Sequence, residues 1–268
     1  MTIVEAIKTV LHNANKPLTH KEIYNEIIKN NFYIFKAKNP LSVVNGEIRR
    51  YCYGLNFPSA SKNKLFKIVI HTRGHSKYEL YNEKNDISKN IIAITNDKDK
   101  LPEELIYESL MKHREEIKQE LLENILNSPP SFFEELVIEL LLKMGYGWDK
   151  KKSGYVNGKV GDGGIDGIIN EDKLGLGKIY IQAKRYTDKT IGRPDLQQFV
   201  GAMENNRKGV YLTTSSFSKQ AQQYIEKQSK DIVLIDGEKL TDLLIDNNIG
   251  IQIVQSFSTY KIDKDYFE

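Results

Sequence analysis

The second half of the sequence alternates between short runs rich in β-branched residues and amphipathic segments with helical spacing. The strand-like runs are KIYIQAKRY, GVYLTTS and DIVLID, and the helical segments that follow them are DLQQFVGAMENN, SKQAQQYIEKQ and EKLTDLLIDNN. This alternation is typical of a sheet with helices on its faces. A further amphipathic helix, FFEELVIELLLKMGYG, precedes it. We therefore expect an α/β domain, a mixed sheet flanked by helices, over residues 131–268.

The first part of the chain has a different pattern, which predicts three helices followed by two strands. Thr19 and Glu22 have the spacing of a capping box at the start of the second helix. The third helix is expected from about Pro40 to Gly54, and the strands LFKIVIH and SKYELY then flank the turn TRGH. Three helices and a two-stranded wing describe a winged helix-turn-helix domain, predicted for residues 1–81.

The segment between these two domains, residues 82–130, is predicted to be a linker and a connecting helix. Its first part is polar, and a charged helix then runs from Pro102 to Leu126. That helix is either a spacer or the first helix of the second domain. The motif NSPP ends it, because proline cannot continue a helix.

Charge is distributed unevenly along the chain. Residues 1–81 hold 13 Lys/Arg against 5 Asp/Glu, a net charge of +8, and the remainder carries −5. A basic module of this kind fits a polyanion, although a lysine-rich solvated surface and a protein-docking winged helix are the alternatives. In a winged helix the third helix usually enters a DNA groove. The expected DNA contacts are basic residues on that helix, before it and on the wing: Arg49, Arg50, Lys36, Lys38, Arg73 and Lys77.

The location of the protein is predicted from what the sequence lacks. A single cysteine, Cys52, allows neither a disulfide framework nor a cysteine zinc site. The start MTIVEAIKTV has no long apolar core of a signal peptide, and no apolar run is long enough to span a bilayer. A soluble cytoplasmic protein is expected.

One strand carries polar residues that need an explanation. In IYIQAKRY, Tyr180, Gln182 and Lys184 share one face, opposite an apolar face. A lysine in a buried strand needs a partner or a task. Asp166, in GGIDGII, precedes a glycine-rich turn that predicts a hairpin with this strand. A carboxylate, an amide and an ammonium are then expected to converge.

Such a group suits hydrolysis of a phosphodiester. Carboxylate and amide oxygens are ligands for Mg²⁺, which lowers the pKa of a bound water, and Lys184 would stabilise the charge that develops on the phosphate. A second carboxylate is available from Glu134 or Glu135 in the first turn of the preceding helix. The alternatives are a simple ion pair between Lys184 and Asp166, or a turn formed by the glycines and aspartates.

Several blocks of the sequence resemble known nucleases. The pattern Asp…Gln-x-Lys on a hairpin resembles the PD-(D/E)xK superfamily, in the variant with glutamine in place of the second acid. FFEELVIELLLKMGYG, GDGGIDGII, KIYIQAKRY, GRPDLQQFVGAM and KGVYLTTSSFS resemble, in order, the Mrr restriction endonucleases, and the resemblance extends from about Pro102 to Glu268. The stretch KPLTHKEIYNEII resembles the HARE-HTH winged helix.

The resemblance implies a modification-dependent, type IV restriction endonuclease that cuts methylated DNA with Mg²⁺. Asp166 matches the metal-binding aspartate, Gln182 the position of the second acid, Lys184 the catalytic lysine and Glu134 the helix glutamate. The catalytic set is thus Asp166, Gln182, Lys184 and Glu134, with Asp166, Gln182 and Glu134 as metal ligands. Gln198, in the QF-x-GA block, and Arg185, beside the lysine, are expected to contact DNA.

We expect double-stranded, methylated DNA as the partner. A double-strand cut needs two active sites, so a homodimer or a higher homo-oligomer is expected. Two alternatives stand beside this prediction. One is a DNA-binding regulator whose nuclease-like domain is not catalytic, and the other is a nuclease that selects branched or otherwise structured DNA.

Overall fold

The computed structural model describes residues 1–72, 75–82, 99–147, 154–156, 164–203, 207–263 and 266. The chain divides into two compact units. The first comprises Met1–Lys112 with Phe257–Glu268, and the second comprises His113–Ser256.

The first unit contains the predicted three helices and wing. Its helices are α1 (Ile3–Ala14), α2 (His20–Lys29) and α3 (Pro40–Arg50), and its strands are β1 (Leu18–Thr19), β2 (Phe66–Thr72) and β3 (His75–Leu80). The strands form an antiparallel sheet in the order β1–β3–β2. The capping box of Thr19 and Glu22 is present, as the sequence predicts. The winged helix-turn-helix architecture is confirmed.

The third helix is shorter than predicted. It ends at Arg50 rather than near Gly54, because the residues after it bond to the wing instead of continuing the helix. The backbone N–H of Tyr53 donates to the carbonyl of Phe66 at 2.7 Å, and that of Leu65 donates to the carbonyl of Tyr51 at 2.8 Å. These long-range bonds to β2 satisfy backbone groups that a longer helix would have used.

The three helices and the wing share one apolar core. Its completely buried members come from the three helices, the segment after α3, and strands β2 and β3: Ala6, Ile7, Ile23, Ile27, Val44, Ile48, Cys52, Phe66 and Tyr78. The apolar positions of α1 recur at helical spacing, so the sequence pattern alone identified the buried face of that helix.

The long helix α4 (Pro102–Asn127) contributes to both units. Tyr107 packs against the core of the first unit, whereas Leu121 and Ile125 are buried in the core of the second. The helix ends just before two prolines, and the next helix begins at Pro130, where a missing backbone N–H is tolerated.

The second unit has the mixed sheet that the sequence predicts. Its elements are α5 (Pro130–Lys143), β4 (Gly154–Val156), β5 (Gly167–Asn170), β6 (Lys178–Lys184), α6 (Arg193–Ala202), β7 (Lys208–Thr213), α7 (Lys219–Glu226), β8 (Asp231–Ile235) and α8 (Gly237–Asp246). The strand order is β4–β5–β6–β7–β8. The pairs β4–β5 and β5–β6 are antiparallel, and β6–β7 and β7–β8 are parallel.

Helices cover both faces of this sheet. One core joins α4, α5 and α8 to the face that carries Ile179, Ile181 and Ala183. The other core joins α6 and α7 to the opposite face of the sheet. Tyr180 lies on that face and packs against this second core. The alternation predicted for β6 is therefore present, and it places Gln182 on the face that α6 and α7 cover.

Within the described ranges, no helix is both long enough and apolar enough to cross a membrane.

Candidate active site

The hairpin of β5 and β6 holds Asp166 beside Gln182. Gly167 lies opposite Ile181, and the backbone N–H of Asp166 donates to the carbonyl of Ile181 at 2.8 Å. This register brings the next pair, Asp166 and Gln182, opposite each other. Gln182 Nε2 and the backbone N–H of Ala183 both donate to Asp166 Oδ2, the latter at 2.8 Å. The carboxylate is thereby fixed by two donors from one strand.

Lys184 lies at the carboxyl end of β6, and the backbone at this point is anchored to β7. Its carbonyl accepts hydrogen bonds from Thr213 Oγ1 at 2.8 Å and from the backbone N–H of Thr214 at 3.3 Å. The side chain is half-buried, and among the described residues its ammonium makes no hydrogen bond or direct ion pair. The simple ion pair with Asp166 does not form, so the ammonium is available to an incoming anion.

Glu134 belongs to the same electrostatic environment. It is the fifth residue of α5, just beyond the first turn in which the sequence placed it, and is half-buried. Burial and the nearby charge of Asp166 raise the pKa of Glu134, and Lys184 opposes this rise. The structure therefore brings Glu134 within electrostatic range of Asp166 and Lys184, two of the residues predicted to act with it.

Asp166 also has a raised pKa. Burial raises it, and the hydrogen bond from Ala183, the charge of Lys184 and the hydrogen bond from Gln182 lower it, in that order of size. Two carboxyl groups that are costly to ionise thus lie near an unpaired ammonium. A bound cation would relieve this cost, and raised carboxyl pKa values of this origin are typical of functional sites.

Gly164 makes room for the amide of Gln182. Its φ of +103° is in the region that favours glycine, and a Cβ at this position would lie 2.7 Å from Gln182 Oε1 and 3.7 Å from Gln198 Nε2. Any other residue would therefore displace the amide. The same contact places the exposed Gln198, on α6, close to Gln182, so the structure brings this predicted residue to the site.

The ligands present fit a hard divalent cation. Among the described residues no group of three or more His, Cys, Asp or Glu side chains is placed to hold a metal ion by itself. Two carboxylates and one amide oxygen, from Asp166, Glu134 and Gln182, are the oxygen ligands that suit Mg²⁺. The space that Gly164 leaves beside Gln182 Oε1 supports this fit.

Arg185 makes a structural contact that the sequence did not predict. Its guanidinium Nη1 donates to the backbone carbonyls at the end of α4, to Leu126 at 3.1 Å and to Ser128. The last carbonyls of a helix have no partner within the helix, so a cation that binds them stabilises its end. Arg185 therefore fixes α4 to the end of β6, and the DNA contact expected of it stays a prediction.

Arg49, predicted to face DNA from the third helix, is instead a core residue. Its side chain is 0% exposed, and it pairs with Glu104 through Nε–Oε1 at 2.5 Å and Nη2–Oε2 at 2.7 Å. The prediction of a DNA contact for Arg49 is wrong, because the start of α4 covers this side of α3. Sequence spacing could not reveal this, since Glu104 lies 55 residues away.

The remaining basic residues of the winged helix differ in their accessibility. Arg50 is partly covered and donates to Glu103 Oε1 at 3.1 Å. Lys36 and Lys38 are exposed, and Lys77 is half-buried. Arg73 lies outside the described residues.

Two contacts at the site had no signal in the sequence. One is the hydrogen bond from the backbone N–H of Ala183 to Asp166, which a residue of any type other than proline could donate. The other is Tyr211, which lies opposite Gln182 on β7 and is 1% exposed. Its hydroxyl has no hydrogen-bond partner among the described residues. Only the strand register, which the sequence does not specify, reveals this neighbour.

Family models match both parts of the chain. Residues 125–244 match the Mrr_cat model, described as a restriction endonuclease. Residues 1–51 match the HARE-HTH model, a helix-turn-helix domain whose description includes restriction endonucleases among the proteins that carry it. Both domain types agree with the resemblances found in the sequence.

One curated relative and two solved structures are similar to this chain. The type IV methyl-directed restriction enzyme EcoKMrr of Escherichia coli (strain K12) is 42% identical over 169 residues, which is 62% of this chain and 54% of the relative. The chain thus spans about half the length of that relative. The DNA modification-dependent restriction endonuclease AspBHI has a TM-score of 0.42 and 21% identity over 49% of this chain and 36% of that one. The MspJI restriction endonuclease in complex with a 27-mer oligonucleotide has a TM-score of 0.34 and 24% identity over 57% and 34%.

Proposed function

We propose that this chain, which carries an Mrr-type restriction-endonuclease domain and a HARE-HTH domain, is a modification-dependent DNA endonuclease that hydrolyses phosphodiester bonds with Mg²⁺. The observation that carries the proposal is the convergence of Asp166, Glu134 and Gln182 beside the unpaired ammonium of Lys184. Methylated double-stranded DNA is the proposed substrate, in line with the methyl-directed relative.

The residues of the site divide the work of hydrolysis. Asp166 and Glu134, with the amide oxygen of Gln182, would hold the cation, which when bound polarises the phosphate and makes a bound water more acidic. Lys184 stabilises the negative charge that develops on the phosphate oxygens in the transition state. The anchoring of its backbone to Thr213 keeps the ammonium in place as that charge develops.

The winged helix is proposed to bind the duplex through residues that the fold leaves accessible. Lys36 and Lys38 are exposed on the segment before α3 and are therefore accessible to phosphates. Arg49 takes no part, since it is buried. Concerted cleavage of both strands requires two sites, so we propose a homodimer or a higher oligomer on DNA.

A plasmid cleavage assay tests the function. Methylated and unmethylated copies of one plasmid are incubated with the full chain and Mg²⁺, and Lys184→Ala is run in parallel after circular dichroism shows that it is folded. We expect cleavage of the methylated plasmid alone. In the variant the rate falls by about 10²- to 10³-fold, the usual effect of removing one group that stabilises the transition state.

The assay also distinguishes the alternatives. Absence of cleavage of either plasmid, with retained duplex binding, would identify a DNA-binding regulator. Preferential cleavage of an unmodified branched duplex over a methylated linear one would identify a structure-selective nuclease. Either result overturns the proposal.

A further inference from the structure

The segment that leaves β6 after Lys184 is held firmly against the segment that follows β7. The backbone N–H of Tyr186 donates to Thr214 Oγ1 at 2.9 Å, and the same hydroxyl donates to the carbonyl of Tyr186 at 2.8 Å. Further along, the backbone N–H of Ile191 donates to the carbonyl of Ser216 at 2.9 Å. Ile191 itself is 0% exposed. Residues 184–191 therefore form a fixed ledge at the carboxyl ends of β6 and β7.

Two exposed cations lie at this ledge, each over an aromatic ring. Lys189 Nζ is 4.8 Å from the centroid of the Tyr186 ring. Arg193 Cζ, at the first position of α6, is 5.3 Å from the centroid of the Tyr224 ring. The rings restrict where the two long side chains point without neutralising their charge. Both positive charges are thus oriented and still accessible.

The local carboxylates do not neutralise these cations. Among the described residues neither Lys189 nor Arg193 makes an ion pair or a hydrogen bond with a carboxylate. Asp195, the acid in the first turn of α6, accepts a hydrogen bond from the backbone N–H of Gly192 at 2.9 Å and caps the helix. The ledge therefore offers two cations to an external anion.

We propose that Lys189 and Arg193 bind backbone phosphates of the same duplex whose scissile phosphate lies at Lys184. The inference rests on the proposed function, because it takes DNA as the anion. Both cations follow Lys184 within nine residues of the chain, on the segment that is bonded to the carboxyl edge of β7. Lys189 lies on the ledge and Arg193 two residues beyond it, so two phosphate contacts here would add to the one at Lys184. Contacts of this kind position a duplex without reading its sequence.

The test measures the salt dependence of DNA binding. A fluorescein-labelled methylated duplex is titrated with full-length Asp166→Asn, which binds without cutting, over a series of NaCl concentrations. Each phosphate contact that is lost lowers the slope of log Kd against log salt by about 0.9. We expect this decrease for Lys189→Ala and again for Arg193→Ala, each made in the Asp166→Asn chain.

Two further variants make the result specific. Lys239→Ala removes an exposed cation on α8, on the other face of the sheet, and is expected to leave the slope unchanged. Lys189→Arg keeps the charge and should keep the slope. Equal slopes for the parent, Lys189→Ala and Arg193→Ala would overturn the inference, as would a decrease of the same size in Lys239→Ala.

Failure of this inference is distinguishable from failure of the proposed function. Unchanged slopes, together with cleavage of methylated plasmid by the wild-type chain, would show that the ledge binds no phosphates although the chain is a nuclease. Lower slopes for Lys189→Ala and Arg193→Ala, when the wild-type chain cleaves no plasmid, would show that the ledge binds DNA but that the chain is not a nuclease.

Discussion

Gln182 donates a hydrogen bond to Asp166 across the β5–β6 pair, and the amide thus lies where a second carboxylate would face the first. An amide can do this without repulsion, whereas two carboxylates at this distance cannot both ionise easily. As the proposed metal ligand, the neutral Gln182 would keep the metal-free site compatible with folding. Because the amide is neutral, a bound cation would meet one negative charge fewer than at a site with two carboxylates on this hairpin.

Gln182→Glu should therefore strengthen metal binding and weaken the metal-free fold. We expect about tenfold tighter binding of Mg²⁺ or Mn²⁺ by calorimetry, because charge count is a main determinant of affinity at oxygen sites. In EDTA the same variant should melt at a lower temperature than wild type at neutral pH. Gln182→Met, of similar length and without oxygen ligands, is the control and should lose metal affinity. Equal affinity of Gln182→Glu and wild type would show that residue 182 is not a ligand.

Asp166 should make the metal-free protein less stable as the pH rises. Burial raises the pKa of Asp166, so the folded state holds its proton more tightly than the unfolded state does. Stability is then lost as the pH rises through the interval between the unfolded pKa and the raised folded pKa. Asp166→Asn in EDTA should melt higher than wild type at pH 7, and this gain should vanish well below about pH 4.

Asp172 provides a control of opposite sign. Its pKa is lowered, chiefly by the hydrogen bond from the backbone N–H of Gly177 at 2.7 Å in the β5–β6 turn. Stability from this group is present above the unfolded pKa and is lost as the pH falls through the lowered folded value. Asp172→Asn should therefore lower the melting temperature at pH 7. A higher melting temperature at pH 7 in both Asp166→Asn and Asp172→Asn, or in neither, would contradict the electrostatic explanation given for Asp166.

The ion pair of Arg49 and Glu104 should dominate the stability of the first unit. Glu104→Gln leaves a guanidinium buried without its counter-charge, and loss of one partner of a buried pair costs about 3–5 kcal/mol. Glu103→Gln, which breaks the partly exposed contact with Arg50, should cost under about 1 kcal/mol. Urea unfolding followed by circular dichroism measures both. Similar small effects from the two variants would show that the buried pair contributes little.

The sequence predicted the fold well because its elements have strong local signals. The apolar spacing of α1, the capping box of α2 and the alternation of β6 each determine a structure from a few neighbouring residues. Two elements escaped prediction, β1 with two residues and β4 with three, because strands this short show no periodicity. Local signals thus sufficed for every longer element.

The candidate site was predicted in part, for a physical reason. Strand alternation predicts that Gln182 and Lys184 share one face. The β5–β6 hairpin, which the glycine-rich turn predicts, brings Asp166 next to them. The contacts of Arg49 and Arg185 depend on α4, which lies 55 residues or more from each along the chain. Charge and position in the expected fold suggested DNA contacts for both, since no local pattern reveals that a cation binds a distant helix.

The hydroxyl of Tyr211 gives a final prediction. It is buried opposite Gln182 and has no partner among the described residues, and burial raises the pKa of this group, so it stays protonated. A buried donor without a partner destabilises a fold by about 1–3 kcal/mol. Tyr211→Phe removes only this group and should be neutral or should raise the melting temperature in EDTA. The edge-to-face contact with Phe199, at 5.3 Å between ring centroids, is retained.

Tyr78→Phe is the matched control for this change. Tyr78 is equally buried, but its hydroxyl accepts a hydrogen bond from Arg49 Nη1 at 3.5 Å, and deleting it should destabilise the protein by about 1 kcal/mol. A loss of stability in Tyr211→Phe as large as in Tyr78→Phe would mean that the Tyr211 hydroxyl is satisfied, with an ordered water as the natural partner. Weaker Mg²⁺ binding by Tyr211→Phe in calorimetry would then show that this water also takes part in binding the cation.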